Sequence, residues 1–239
     1  MITIYTLTYN EELMLPFFIK HYRNRFNNCN IIVFDNESTD KTVEIATDYG
    51  CQVITYSTNN QISDSKYLEI KNNCWKNSKT EWNIICDCDE LCEINQDDLG
   101  FEISKGTTIF KFDGYDMVNI SNNKDSVVIE GLNMGVKNNM YDKVLMFNKK
   151  EITDINYLAG CHQSRPNGNV KFSNKNYRLL HYKYLGEEYL VNRHKSYSNR
   201  LSQENLQKKW GYHYNDDEIK IREYFNFLRQ RAVNIFYEK

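Results

Sequence analysis

The chain lacks a glycine-rich phosphate loop: neither GxGxxG nor GK[ST] occurs in its 239 residues. Dinucleotide-binding dehydrogenases and P-loop NTPases cradle phosphates with the backbone N–H groups of such loops, so both classes are disfavoured. A phosphate-handling site here has to use a metal instead. There is no excess of one charge either. Thirty Lys and Arg stand against 32 Asp and Glu, a formal net charge of -2, which gives no electrostatic reason to expect nucleic acid as a partner. No apolar run approaches a membrane span, and MITIYTL at the start is too short, and lacks the basic leader, for a signal peptide. The expected location is the cytoplasm, the cell's own or a host's, or the cytoplasmic face of a membrane, with no transmembrane segment. Seven cysteines, an odd number without secretory context, read as reduced thiols. Cys86-x-Cys88-x3-Cys92 has no second Cys/His pair at finger-like spacing, which argues against structural zinc. The two prolines, beside many Asn, Lys, Ile and Tyr, reflect codon supply in an AT-rich genome and bear on no mechanism.

What is present reads as a soluble globular chain, 41% hydrophobic and 26% charged, long enough to bury a core without disulfides. Its first half alternates strand and helix signals. Strands are expected at 2–7, 30–34, 51–56 and 82–86. Helices are expected at 11–26, with Pro16 in the first turn, at 40–49, capped by Ser38/Thr39 and stopped by Gly50, and at 63–78. Three consecutive β-α pairs imply parallel strands joined by right-handed crossovers, hence an α/β fold. The second half is less regular. Strands are expected at 107–112, 127–130, 143–147 and 177–183, with loops at 119–125 and 133–142. Helix returns from residue 186, ending in an amphipathic segment at 217–236. We therefore expect a domain over 1–185 and a helical extension over 186–239 packed on it.

In open parallel sheets ligands bind beyond the carboxyl ends of the strands. That rule gathers Thr8-Tyr9-Asn10-Glu11, Asp35-Asn36-Glu37 and Asp87-Cys88-Asp89 in one place. Asp87 and Asp89, one residue apart after an apolar strand and followed by Glu90, suit a hard divalent ion with open positions for diphosphate oxygens. Such acidic pairs are also common as solvated turns. The Asp35 carboxylate can accept hydrogen bonds from a base or ribose edge.

Thr8-Tyr9-Asn10-Glu11-Glu12, the turn from Asp35 to Asp40 and Asp87-Cys88-Asp89-Glu90 together resemble the family 2-like glycosyltransferases of GT-A fold. Asp142-Lys143-Val144, Gly160-Cys161-His162 and Leu180-His181-Tyr182-Lys183, followed by Glu187-Glu188-Tyr189, look like the second half of the subgroup with a C-terminal His-Tyr motif. The resemblance spans residues 1–200. It implies a single α/β domain of GT-A type with a mixed sheet and C-terminal helices. It also implies a hexosyltransferase-like activity that takes a nucleotide-sugar donor, a UDP-sugar as the first choice, and a glycan or other hydroxyl acceptor. Thr8, Asn10, Glu11, Asp35, Asp87 and Cys88 would line the nucleotide-sugar pocket. Asp87, Asp89 and His181 would hold Mn2+ or Mg2+, although His181 within LLHYKYL also suits a core histidine. Lys66 is placed either on the diphosphate or on a solvated helix face. The Glu-Asp base of many relatives is missing after residues 143–147, so the catalytic base falls to His162 or Asp113, with Asp116 and Glu130 behind them. Two other readings stay open: a nucleotidyl- or phosphotransferase with the same metal site, and a catalytically silent GT-A-like binding module.

Overall fold

The computed structural model describes residues 1–237. Four parallel strands form its N-terminal half: β1 (Ile2–Thr8), β2 (Cys29–Asp35), β3 (Gln52–Thr55) and β4 (Trp82–Ile85), in the spatial order β3-β2-β1-β4. The crossovers carry α1 (Leu15–Arg25), α2 (Thr42–Asp48) and α3 (Asp64–Asn73). In α1 the side chains of Leu15, Phe18, Ile19 and Tyr22 share one face and are fully buried against Ile2, Ile4, Ile31 and Val33 of the sheet. Burying each such side chain contributes about 1.5–3 kcal/mol. Pro16 sits at the start of α1, where a missing N–H costs nothing. Helix α2 begins later than its sequence suggests. Ser38 and Thr39 bond across to Asn10, and Asp40 accepts from the Thr42 backbone at 2.9 Å instead. Gly50, in the left-handed region at φ 65°, ends the α2 turn as expected.

After β4 the chain makes a short strand, β5 (Glu90–Glu93), and a helix, α4 (Gln96–Ser104), neither of them expected from sequence. Then come β6 (Ile109–Val118), β7 (Met134–Lys137), β8 (Lys143–Asn148), a small antiparallel pair of β9 (Ile152–Asp154) and β10 (Asn167–Gly168), and β11 (Tyr177–Tyr184). Strand β8 pairs antiparallel with β4, and β6 pairs antiparallel with β8 and β7, so the sheet is mixed. Residues 127–130, expected as a strand, run without one. Val128 donates a single backbone bond to Leu185, which is too little to build a ladder. The expected loop at 133–142 instead holds β7 and a 3-10 turn at Asn139–Tyr141.

The C-terminal part has α5 (Glu187–Ser198), α6 (Gln203–Lys208), a 3-10 turn at Tyr212–Asn215, α7 (Glu218–Arg231) and β12 (Val233–Asn234). Helix α7 therefore stops short of residue 236. Its last apolar residues turn into a strand beside β7 and send Ile235 into the main core. Among the described residues ten strands make the main sheet, and no helix is long and apolar enough to cross a membrane.

Candidate active site

A cleft of about 570 Å3 opens at the carboxyl ends of β1 and β4 and is closed on its far side by residues 190–214. That volume lies in the range of small-molecule sites. The register of the strands sets what faces it. Thr8 lies opposite Asp35, and its hydroxyl donates to the Asp35 carboxylate at 3.3 Å. Strand β11 runs between β5 and β6, which places His181 opposite both Glu90 and Asp116. The two edges of β11 thus bring the acidic turn after β4 and a carboxylate from β6 to the same imidazole.

The acidic turn is heavily paired. Lys71 donates to Asp87 Oδ1 at 2.6 Å, Lys143 lies 3.9 Å from Asp87 Oδ2, and Lys143 also forms a buried ion pair with Glu90. Burial would push the Asp87 carboxyl up, but the Lys71 and Lys143 ammoniums outweigh it and hold Asp87 well below the usual carboxylate range. The same partners keep both lysines protonated despite their burial. Asp87 still leaves 40% of its side chain exposed to the cleft. Arg193, from α5, donates two bonds to Glu11 at 2.9 and 3.0 Å and reaches Asp89 Oδ2 at 3.4 Å. Glu11, Asp87, Asp89, Glu90 and Asp116 are five carboxylates. Lys71, Lys143 and Arg193 pair with the first four and Asp116 with His181, and Lys183, Arg200 and Lys209 also line the cleft.

His181 is only 4% exposed yet lines the cleft. Its Nδ1 lies 2.7 Å from Asp116 Oδ1, and a carboxylate can only accept, so Nδ1 carries the proton. Nε2, a lone pair when the ring is neutral, faces Asp89 Oδ2 across 3.8 Å. Two electron-rich atoms at that separation suit a cation between them, bonded to each at about 2.0–2.6 Å. A carboxylate behind the far ring nitrogen is the usual support of a metal-ligating histidine. This pair suits a divalent ion held by Asp89 and His181, while Asp87 is engaged by Lys71.

Tyr141 is stacked on His181 at 3.9 Å between centroids and meets His162 edge-on at 5.1 Å. It reaches that place because Gly114 of β6 has no side chain; a Cβ there would lie 2.6 Å from the Tyr141 carbonyl oxygen. His162 lines the cleft, and its Nδ1 is 2.6 Å from the Met140 carbonyl, so this nitrogen is the donor and Nε2 is the free lone pair. Burial and the nearby Lys143 push its pKa down to about 4, so the ring is neutral at physiological pH.

Of the residues singled out by sequence, Thr8, Glu11, Asp87, Cys88, Asp89, His162 and His181 line the cleft together. Cys88 does so as a thiol, its pKa pushed well up by burial, and all seven cysteines are free. Asp35 stands one layer behind, fixed by Thr8 and by the Ser38 backbone N–H at 3.0 Å. Asn10 is left-handed at φ 54° and ties down the 38–39 loop. Lys66 pairs with Glu69 on the outer face of α3, and Asp113 bonds Asn176 away from the cleft. Glu130 is exposed. Sequence reasoning missed Lys71, Arg193 and Tyr141, and it named Lys143, within Asp142-Lys143-Val144, without a role at the site. Lys71 alone carried a signal: it falls on the helix face between Tyr67, Cys74 and Trp75 and is the one fully buried residue of α3.

With this geometry in place, residues 3–100 match the model of Glycosyl transferase family 2. The mixed α/β sheet agrees with the GT-A class expected from the sequence. No curated protein matches the chain in sequence. Among solved structures, Staphylococcus aureus TarS is similar at 14% identity over 83% of this chain and 39% of TarS, with a TM-score of 0.48. Its 1–349 fragment in complex with UDP-GlcNAc is similar at 13% identity over 94% of this chain and 71% of that one, TM-score 0.46. Glucosyl-3-phosphoglycerate synthase from Mycobacterium tuberculosis, in complex with Mn2+, UDP and glucosyl-3-phosphoglycerate, is similar at 12% identity over 67% and 62%, TM-score 0.41. The chain thus spans well under half of TarS.

Proposed function

We propose that this chain, a family 2 glycosyltransferase through residues 3–100, moves a sugar from a nucleotide-sugar donor to a hydroxyl acceptor in a reaction that depends on Mn2+ or Mg2+. The observation that carries the reading is the facing of His181 Nε2 and Asp89 Oδ2 in the cleft at the end of β4, with Asp116 fixing the imidazole. A divalent ion at that pair would neutralise charge building on a departing nucleoside diphosphate. Thr8 and the turn after it, braced by Asp35, form the wall that takes the nucleoside. Lys71 and Lys143 present ammonium groups beside Asp87, where diphosphate oxygens can compete for them. His162 offers its free Nε2 to the attacking hydroxyl. In the transfer step that nitrogen takes the hydroxyl proton, the acceptor oxygen bonds the anomeric carbon, and the bond from that carbon to the diphosphate oxygen breaks.

The test is nucleoside diphosphate release from a panel of UDP-, GDP- and dTDP-sugars, with UDP-sugars expected first. Release should require Mn2+ or Mg2+, vanish in chelator and fall about a hundredfold or more in Asp89→Asn, the scale of losing one transition-state stabiliser. Pyrophosphate as the product would assign a nucleotidyltransferase instead. Nucleotide binding without any turnover would leave a silent GT-A-like module.

A further inference from the structure

The wall that closes the cleft is charged unlike the rest of the chain. Residues 190–214 hold five cations, Arg193, Lys195, Arg200, Lys208 and Lys209, against one acid, Glu204, in a chain whose acids outnumber its cations. The two that stand outside the cleft are paired, Lys195 with Glu218 at 2.8 Å and Lys208 with Glu204 at 2.6 Å. Arg193 lines the cleft and is spent on Glu11 and Asp89. Arg200 and Lys209 line it too, and neither has a carboxylate partner among the described residues. Arg200 instead donates to the Asn60 carbonyl and lies over the Tyr9 ring.

Lys183 joins this group from β11. It stands two residues after His181 and lines the cleft half-buried. Its ammonium makes no ion pair and no hydrogen bond among the described residues, and the rings of Tyr184 and Tyr214 lie 5.7 and 5.9 Å away. Asp116 and Asp89 attract it only from beyond ion-pair reach, and both already serve His181 and Arg193. Unlike the enclosed side-chain atoms that lack partners, Lys183 Nζ stays accessible. A partly buried charge is costly unless paired, so an accessible ammonium without a counter-charge calls for an anionic ligand. The wall opposite is fixed. The Ile62 N–H donates to the Arg200 carbonyl at 2.6 Å, and the Ser202 N–H donates to the Ile62 carbonyl at 3.1 Å. Asn205 bonds Asp64 twice at 3.1 Å.

We infer that Lys183 selects the acceptor, with Arg200 and Lys209 adding to its field, and that the acceptor is anionic: the molecule that brings the attacking hydroxyl also carries a phosphate or a carboxylate. The donor's diphosphate already meets Lys71 and Lys143 beside Asp87, together with the ion at Asp89 and His181. The unpaired cations are a second set, contributed by β11 and the closing wall. A neutral acceptor would leave them without a partner, and a bound divalent ion would raise the cost of that by cancelling the pull of Asp89. Lysine gives such an anion a point charge on a flexible stem, which suits phosphate and carboxylate alike. This inference rests on the glycosyltransferase reading and names the class of acceptor for it.

The test uses the full chain with its best donor and Mn2+. The probes are matched acceptors: methyl glucoside beside its 6-phosphate and methyl glucuronide, and glycerol beside glycerol 3-phosphate. At least one anionic member should raise nucleoside diphosphate release fivefold or more over the acceptor-free rate, with kcat/KM at least tenfold above its neutral counterpart. The phosphate and carboxylate arms tell the two anions apart. Lys183→Gln should cut that preference at least fivefold, through the KM for the anionic acceptor, and Lys183→Arg should keep most of it. In melts with saturating nucleoside diphosphate and Mn2+, the same anionic acceptor should raise the melting temperature of the parent more than that of Lys183→Gln. A retained melting shift with nucleoside diphosphate shows that the variant is folded. Equal use of neutral and anionic acceptors, stimulation by no anionic probe, or an unchanged preference in Lys183→Gln overturns the proposal. A donor KM that rises in Lys183→Gln as much as the acceptor KM gives the ammonium to the diphosphate and overturns it as well. A parent protein that releases no nucleoside diphosphate under any condition overturns the donor reading, and the acceptor class falls with it.

Discussion

Replacing His181 with alanine removes two interactions and one candidate ligand, and melts with and without metal separate the interactions from the ligand. The first is the Nδ1–H bond to Asp116, a fully buried carboxylate that would keep only the Asn138 amide at 2.7 Å. A hydrogen bond to a charged group contributes about 1.5–3 kcal/mol. The second is the stacking of Tyr141 at 3.9 Å, about 0.5–1.5 kcal/mol for an aromatic pair. Together they predict a loss of roughly 2–4 kcal/mol in chelator. For a chain of 239 residues that is a melting drop of about 4–16 °C, at roughly 2–4 °C per kcal/mol. The third is Nε2 itself. If metal affinity falls tenfold or more, stabilisation by saturating Mn2+ shrinks by at least about 1.4 kcal/mol relative to the parent. Melts with EDTA and with Mn2+, parent beside variant, read all of this. The same Mn2+ increment in both proteins would refute the ligand role. An unchanged melt in EDTA would refute the energetic account of the Asp116 bond.

Lys143→Met should cost about 3–5 kcal/mol in urea melts, because it strands Glu90 as a buried unpaired charge, whereas Lys143→Met with Glu90→Gln should cost clearly less. Gly114→Ala should destabilise by about 1–3 kcal/mol and cut transfer at least tenfold, since the Tyr141 turn has to move; Gly100→Ala, on α4 with open space around it, should be neutral or stabilising by up to about 1 kcal/mol. Stability should fall as pH drops from 7 to 5.5. His21, His162, His194 and His213 have native pKa values lowered to about 3–4 by burial, so the unfolded chain binds protons near its ordinary histidine pKa while the native state stays neutral. A flat denaturant midpoint over that interval would count against buried neutral histidines.

The β-α half was legible because buried parallel strands read as apolar runs and the intervening helices carry stripes, as in NIIVF of β2 and Leu15, Phe18, Ile19 and Tyr22 of α1. Strand β5 was hidden because ELCE follows three polar residues and reads as more of the same turn. Helix α4 left a usable sign, the Asn95-to-Asp98 capping box, that went unread. Val127 and Val128 show the opposite error: β-branched residues favour a strand, but no partner edge is available there and tertiary context wins. At the site, the acidic turn and His181 stood out because their residue types name their chemistry. Lys71, Lys143 and Arg193 did not, since a lysine or arginine is usually a surface residue and its burial becomes visible only once carboxylates from elsewhere in the chain are in place. Lys66, left open between the diphosphate and a solvated helix face, pairs with Glu69 on the outer face of α3.

Arg193 has a bearing on how the molecule can be divided. The stretch that matches the family ends at residue 100, but the guanidinium that joins Glu11 to Asp89 comes from α5, far along the chain. The first acidic residue after β1 and the last one of the turn after β4 therefore share a counter-ion that the N-terminal half cannot supply. A fragment that stops before α5 would hold a buried carboxylate with no cation and a cleft open on one side. The half that matches the family is thus not a portable cassette. A chimera built on this scaffold has to inherit α5 with the sheet, and sequence drift at either end of the Glu11–Arg193 pair is constrained by the other.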